Sequence, residues 1–327
     1  MVTISFPGLG IGEFTVNRVA FTIGGFNIYW YAVIITVGVC LGVGCMMYRT
    51  RHEEGIKISD VADYAIWTIP VALIGARLYY VLTSPGSINS FSDVFSLRNG
   101  GIAIYGAVIA GAAAVVVITK VKKFKKQQML QIFDLVAPGV MLGQIIGRWG
   151  NFINGEAHGT EIKGDFFLRM GLKDGAPLSQ MNKMTYYHPT FLYESLWNLV
   201  GFVIINLLYR KKKYNGQIFL MYLAWYGFGR MWIEGLRTDS LMLGPFRISQ
   251  VVAFLCFVIC TGILIYLSVR NRRLVKDGEE YTSVYERSRG AQLTRRRAER
   301  AEATEQTSAA TENDTVNKGS SQGEEKE

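Results

Sequence analysis

The sequence contains few of the residues on which metal centres and soluble hydrolases depend. In 327 residues there are three histidines and four cysteines. Cys256 and Cys260 share a helix face, but no histidine or carboxylate stands near them, so we expect buried unreactive thiols, no metal site and no cofactor. No Ser-His-Asp arrangement, Walker loop, glycine-rich dinucleotide turn or zinc helix motif is present. These absences argue against the familiar hydrolase, nucleotide-binding and metalloenzyme classes.

Charged residues make up 19% of the chain, whereas hydrophobic residues make up 50%. The hydrophobic residues gather into blocks of about 17–25, the length that crosses a bilayer. The 35 Lys and Arg outnumber the 26 Asp and Glu, for a net charge of +9. Such a balance can indicate nucleic acid or an anionic membrane surface. The basic residues stand mostly at the ends of apolar blocks and in the carboxyl-terminal tail, so we predict a lipid bilayer as partner and no nucleic acid.

Length and hydropathy predict an all-α integral membrane protein with about seven transmembrane helices. The amino terminus lacks a basic region before its first apolar run, so no cleavable signal peptide is expected. Proline falls inside two of the predicted spans, where neighbouring helices and water can satisfy the freed carbonyl groups. The predicted spans are residues 28–47, 64–82, 102–119, 132–146, 191–209, 219–233 and 248–267.

Basic clusters follow every odd-numbered span, at residues 49–51, 120–126, 210–213 and 270–273. Positively charged loops remain in the cytoplasm, so we predict an amino terminus outside and a carboxyl terminus inside. The connection between the fourth and fifth spans is then external, and its length predicts a small extracytoplasmic cap. The sequence thus divides into a membrane domain, residues 1–275, and a charged cytoplasmic tail, residues 276–327, whose composition indicates disorder.

The most unusual stretch, residues 147–159, directly follows the fourth span. It places Arg148, Asn151, Asn154 and Glu156 between glycines, where a membrane helix normally ends in aromatic residues and a short turn. Polar groups this dense at membrane depth are costly and indicate a functional site. Glycines let backbone approach whatever is bound.

A second polar cluster closes the sixth span. Arg230, Glu234 and Arg237 are spaced i, i+4 and i+7, so a helix places them on one face, to which Tyr226 also belongs. Planar guanidinium groups suit phosphate because each can bind two oxygens at once. The cluster therefore indicates an anion-binding wall; a structural Arg–Glu pair at a helix end is the alternative.

These motifs resemble the prolipoprotein diacylglyceryl transferases of bacterial membranes. Residues 147–159 match the form Gly-Arg-x-Gly-Asn-Phe-x-Asn-x-Glu-x-x-Gly at every fixed position. The pair Trp30-Tyr31, the segment beginning Gly100-Gly101, the run from His188 to Glu194 and the second polar cluster are similar to family elements in the same order. The resemblance extends from about Phe26 to Leu267.

The resemblance implies transfer of the diacylglyceryl group of phosphatidylglycerol to the lipobox cysteine of a prolipoprotein, with release of glycerol phosphate. It places the site towards the outer leaflet of the bacterial cell membrane. It assigns Arg148 and Arg230 to the lipid phosphate and lets Glu156 and Glu234 hold the arginines. The remaining residues that it assigns to the site are Asn151, Asn154, Gly159, Tyr31, Tyr226 and Arg237.

The general base is the one role on which the sequence departs from part of the family. Tyr105 stands where some members have histidine, and a phenol is a poor base at neutral pH. We therefore expect the arginines to activate the substrate thiol, with Tyr105 as its hydrogen-bond partner. The run that includes His188 and Glu194 opens the fifth span, and an interface anchor is favoured there over a catalytic role.

A membrane transporter or binding protein for an anionic lipid or solute is the competing interpretation. Arg77 inside the second span and the proline-containing helices favour it. The polar groups gather at one leaflet rather than the midplane and no internal repeat is evident, which favours the transferase.

Overall fold

The computed structural model describes residues 1–51, 53, 55–84, 101, 103–173, 184–238 and 242–276. Seven long α-helices dominate these residues. They are α1 (Trp30–Thr50), α2 (Ile58–Thr83), α3 (Ile104–Val121), α4 (Lys126–Asn154), α5 (Thr190–Tyr209), α6 (Gln217–Leu236) and α7 (Ile248–Lys276). Each contains one of the seven predicted spans almost entirely. The predicted tail begins where α7 ends, and residues 277–327 lie outside the described residues.

Six of these helices are long and apolar enough to cross a membrane. The exception is α6, which carries Arg230 and Glu234 in its last two turns. The protein is therefore a multi-pass, mostly helical membrane protein, as the sequence predicts. Its orientation in the membrane stays a prediction.

The fourth helix is longer than its predicted span. The polar residues after Ile146 indicated a helix end followed by a turn, but α4 continues through Asn154. It ends at Gly155, which adopts φ 64° and donates its N–H to the carbonyls of Asn151 and Phe152. Gly155 thus supplies the left-handed residue with which many helices end. Arg148 and Asn151 consequently lie on a helix face rather than on a loop.

Close glycine contacts join α1 to α4. A Cβ atom on Gly42 would lie 2.8 Å from the carbonyl oxygen of Gly139, and one on Gly139 would lie 2.9 Å from that of Gly42. Membrane helices gain little from burying apolar surface against each other, so close van der Waals packing through small residues holds such pairs together. Gly75 and Gly106 pack in the same way between α2 and α3.

A four-stranded antiparallel sheet forms the predicted cap. Its strands are β1 (Val2–Phe6), β2 (Ile11–Val16), β5 (Met170–Lys173) and β6 (Thr185–Tyr187), in the order β2-β1-β5-β6. The amino-terminal hairpin thus pairs with the connection between α4 and α5, with Thr3 opposite Lys173. The sequence predicted a cap from the connection alone and did not predict this pairing. Two separate hairpins are β3 (Val19–Ile23) with β4 (Phe26–Tyr29) and β7 (Met242–Leu243) with β8 (Phe246–Arg247).

Apolar and hydroxyl residues alternate along β1, and the apolar face of the strand packs the cap against the helices. Val2 and Ile4 are fully buried on one face of the sheet, together with Met170 of β5, as the two-residue period of a strand requires. The ring of Phe6 lies 6.2 Å from that of Phe152 at the end of α4. The position of residues 147–159, the signature stretch, therefore depends on the contact between β1 and the end of α4.

A reciprocal tryptophan pair joins α5 to α6. The indole N–H of Trp197 donates to the carbonyl of Trp225, and that of Trp225 to the carbonyl of Trp197, each at 3.0 Å. The two rings stack with centroids 4.3 Å apart. Gly201 leaves room for this arrangement, because a Cβ atom there would overlap the Trp225 indole and lie 2.7 Å from Cε of Met141.

Gly201→Ala is expected to lower the melting temperature of the detergent-solubilised protein by several degrees. Overpacking of a filled contact costs about 1–3 kcal/mol, which exceeds the gain of up to about 1 kcal/mol from the better helix former. Gly262→Ala in α7 is the matched control, since a Cβ atom there meets nothing within 4 Å. Equal melting temperatures for the two variants would contradict the assigned contact.

Candidate active site

Arg148 projects from the last two turns of α4 and is held by two partners. Its Nη2 lies 2.5 Å from Oε1 of Glu194, and its Nη1 donates to Oδ1 of Asn151 at 3.3 Å. Asn151 is one turn further along the same helix, so the two side chains share a face. The side chain of Arg148 is 20% exposed, against 3% for Glu194.

Glu194 binds two arginines from two different helices. Its second oxygen, Oε2, lies 2.8 Å from Nη1 of Arg230 on α6. A carboxylate this deeply buried requires paired charges to offset its desolvation, and here each oxygen has its own guanidinium. Glu194 therefore fixes the separation of Arg148 and Arg230. The expected interface anchor is instead the shared counter-ion of both arginines.

Part of the face predicted on the sixth span, Arg230 and Glu234, is present on α6. Arg230 forms an ion pair with Glu234, and Nε of Arg237 lies 3.9 Å from Oε2 of the same carboxylate. Arg237 itself follows the end of the helix in extended conformation. The carbonyl of Glu234 also accepts a hydrogen bond from Arg247 of β8, so the α6–α7 connection braces the cluster.

Glu156 contacts asparagines and not the arginines that it was expected to hold. Its Oε1 accepts hydrogen bonds of 3.1 Å from both Asn151 and Asn154. Arg148 reaches Glu194 instead, because α4 remains helical up to Asn154 and Glu156 lies beyond its end. Glu156 and Asn151 together still connect the turn to Arg148.

Two glycines of the signature have identifiable contacts. A Cβ atom on Gly150 would lie 2.7 Å from Cδ2 of Tyr31, so Gly150 makes room for the tyrosine ring. A Cβ atom on Gly159 would lie 2.7 Å from Cβ of His188 and 3.1 Å from the carbonyl oxygen of Leu236. Gly159 also forms a backbone bridge with Arg237. The close approach at Gly159 is therefore to the protein itself, and it draws Arg237 towards the signature.

A cavity of about 620 Å³ runs from these arginines down between α1, α2 and α4. Arg148, Arg230 and Arg237 line one end, and no acidic side chain of the described residues contributes to the wall. The lining on α1 extends from Tyr31 to Met46, a helical distance of roughly 22 Å at 1.5 Å per residue. The cavity thus combines a cationic end with a long, mainly apolar interior.

The other predicted site residues differ in whether they line this cavity. Tyr31 and Asn151 line it, whereas Tyr226 does not and stacks on Tyr222 with ring centroids 6.0 Å apart. Tyr105 follows Ile104, a lining residue, and its hydroxyl lies 2.6 Å from that of Ser249 on α7. Tyr105 itself is not among the lining residues, and the structure pairs its hydroxyl with Ser249.

Two further residues near the site were given no role in the site from the sequence. Arg18, in the β2–β3 connection, donates from Nη2 to the carbonyl of Asn154 at 2.8 Å. This places a cation at the carboxyl end of α4, where the helix dipole favours positive charge. His188 lies 3.2 Å from the Tyr193 hydroxyl through Nδ1, and burial lowers the pKa of His188 from its ordinary 6.5. The lowered pKa favours the neutral form of the His188 imidazole. Arg77, the unexplained charge of the second span, donates to the carbonyl of Gly101 at 2.7 Å.

Together, the fold and the site define a multi-pass membrane protein with three arginines at one end of a mainly apolar cavity. The chain belongs to the prolipoprotein diacylglyceryl transferase family, whose model, described as Prolipoprotein diacylglyceryl transferase, matches residues 18–266. Membership confirms the resemblance seen in the motifs.

Similar proteins named phosphatidylglycerol–prolipoprotein diacylglyceryl transferase occur in several bacteria. The one from Listeria monocytogenes serotype 4a (strain HCC23) is 40% identical over 80% of this chain and 94% of its own length. Those from Enterococcus faecalis (strain ATCC 700802 / V583) and Clostridium kluyveri (strain ATCC 8527 / DSM 555 / NBRC 12016 / NCIMB 10680 / K1) are 41% and 39% identical, each over 79% of this chain and over 91% and 99% of their own lengths. These similarities favour the transferase over the transporter.

Proposed function

We propose that this protein transfers the diacylglyceryl group of phosphatidylglycerol to the lipobox cysteine of a prolipoprotein and releases glycerol phosphate. The observation that carries the proposal is the cavity with three arginines at one end and an apolar interior. A diacyl phospholipid has the same division, with one anionic group joined to long apolar chains. Family membership supplies the reaction type.

The reaction needs positive charge at the phosphate. The thiol loses its proton, a bond forms between sulfur and the terminal glycerol carbon, and the bond from that carbon to a phosphate oxygen breaks. The phosphate diester carries one negative charge, whereas the departing monoester develops a second. Arg148 and Arg230 would therefore bind the transition state more tightly than the ground state, which is what accelerates a reaction.

The buried carboxylates would hold these arginines in fixed positions without themselves lining the cavity. Glu194 and Glu234 are buried and pair with the guanidiniums, while Arg148 and Arg230 themselves line the cavity. Positions fixed before the lipid arrives reduce the reorganisation that the reaction requires. Arginine near the reacting sulfur would also favour the thiolate, the nucleophilic form. Tyr105 stays the proposed hydrogen-bond partner of that sulfur.

The site would open towards the outer leaflet of the bacterial cell membrane. The basic clusters at residues 49–51, 120–126, 210–213 and 270–273 favour a cytoplasmic location for the opposite ends of the helices. The arginine end of the cavity and the cap would then be external, on the side where the prolipoprotein emerges. Its lipobox peptide would approach beside the cap.

Purified protein in phosphatidylglycerol vesicles, given a synthetic lipobox peptide, tests the proposal. We expect the peptide to gain the mass of one diacylglyceryl group and an equal amount of glycerol phosphate to appear. A peptide with the cysteine replaced by alanine is the control and should gain nothing. Uptake of an anionic solute into the vesicles without any gain in peptide mass would favour the transporter instead.

A further inference from the structure

Gln144 lines the cavity and carries a buried polar atom without a hydrogen-bond partner. Its Nε2 donates to the Tyr222 hydroxyl at 3.1 Å, while its Oε1 is buried and has no hydrogen-bond partner among the described residues. Gln144 lines the cavity itself. Buried polar groups in proteins are nearly always hydrogen bonded, so an unsatisfied one calls for an explanation such as a missing ligand.

The depth of Gln144 identifies the part of a ligand that it meets. It precedes Arg148 by four residues on α4, so it lies on the same helix face about 6 Å deeper in the cavity. Beyond it the wall of α4 is apolar or glycine, formed by Gly143, Val140 and Val136. A ligand with its phosphate at Arg148 and its chains along this wall would pass Gln144 where the two parts join.

In a glycerophospholipid, that junction contains the acyl esters. Their carbonyl oxygens accept hydrogen bonds, and they are separated from the phosphate by the glycerol carbons, a distance similar to one helical turn. The carboxamide can meet them without losing Tyr222. Its oxygen and nitrogen exchange places when the amide turns over, and the Tyr222 hydroxyl can donate as well as accept. Oε1 then accepts from Tyr222, and a rotation of the side chain brings Nε2 from the buried position to the cavity.

We propose that Gln144 donates a hydrogen bond to an acyl ester carbonyl of the donor lipid and so sets its depth relative to Arg148. This inference rests on the proposed function and adds a positioning residue to it. Gln144 takes no part in bond making. Its contact instead keeps the reacting glycerol carbon level with the phosphate-binding arginines, and it makes the protein selective for diester over diether lipids.

The test compares diester phosphatidylglycerol with its dialkyl ether analogue of equal chain length, which retains the phosphate and the reacting carbon but lacks the carbonyl oxygens. Transfer to the lipobox peptide is measured as kcat/KM in vesicles for each donor. We expect the unaltered protein to prefer the diester by about 5- to 10-fold, the usual worth of one hydrogen bond. Gln144→Met should lower kcat/KM for the diester to the diether value and leave the diether unchanged.

Two control variants separate this contact from structural effects. Tyr222→Phe removes the partner of Gln144 but keeps the carboxamide. Thr68→Val removes the buried unpartnered hydroxyl of a second lining residue in the described part of the chain. Both should retain the preference for the diester. Equal losses with both donors in Gln144→Met, or equal use of both donors by the unaltered protein, would overturn the inference while the proposed function stands. If neither the diester nor the diether supported transfer, both the inference and the proposed function would be overturned.

Discussion

Replacing Glu194 with glutamine is expected to lower kcat/KM for diacylglyceryl transfer by about 10²- to 10³-fold. Glutamine keeps the shape of the side chain but removes the charge that both Arg148 and Arg230 share at 2.5 and 2.8 Å. Loss of one partner of a buried ion pair costs about 3–5 kcal/mol, because the remaining charge stays buried without compensation. Here two guanidiniums lose a common partner, so they would separate or turn away from the lipid phosphate.

The measurement is the rate of peptide lipidation, combined with a thermal melt of each variant in detergent. Glu161→Gln is the matched control, since it makes the same chemical change at an exposed position of the cap. Glu194→Asp keeps the charge and should recover part of the activity that glutamine loses. A folded Glu194→Gln protein with unaltered kcat/KM would show that the arginines do not depend on this carboxylate.

The sequence predicted the helices well because their signals are local. A bilayer sets the length of an apolar run, and each of the seven runs forms one helix. The arginine face of α6 was also predictable, since Arg230 and Glu234 are one turn apart on the same helix. Local spacing on a helix determines which side chains can meet.

Contacts between distant segments could not be predicted in this way. Glu194 is 46 residues from Arg148, and its position near a helix start offered a sufficient local explanation. The cap shows the same limit, because the pairing of Thr3 with Lys173 joins strands that stand 170 residues apart. Strand pairing depends on partners that a single segment does not specify. The resemblance assigned Glu156 to the arginines, and the contacts of Glu156 with Asn151 and Asn154 depend on where α4 ends.

Arg148→Lys is expected to lower kcat/KM by about 10²-fold, although it preserves the positive charge. The guanidinium of Arg148 contacts Glu194 through Nη2 and Asn151 through Nη1 while facing the cavity. A lysine has one nitrogen on a flexible stem and cannot hold both partners and a phosphate in fixed geometry. Removing one aligned donor from a charge-stabilising site typically costs about 2.7–4 kcal/mol.

Single-turnover lipidation of the peptide measures this loss at the chemical step. Arg169→Lys is the matched control, because Arg169 pairs with the exposed Asp165 in the cap and does not line the cavity. It should transfer at the rate of the unaltered protein. If Arg148→Lys also did so, positive charge alone would suffice at the phosphate, and the arrangement of Glu194, Arg148 and Asn151 would serve stability rather than the alignment of the departing phosphate.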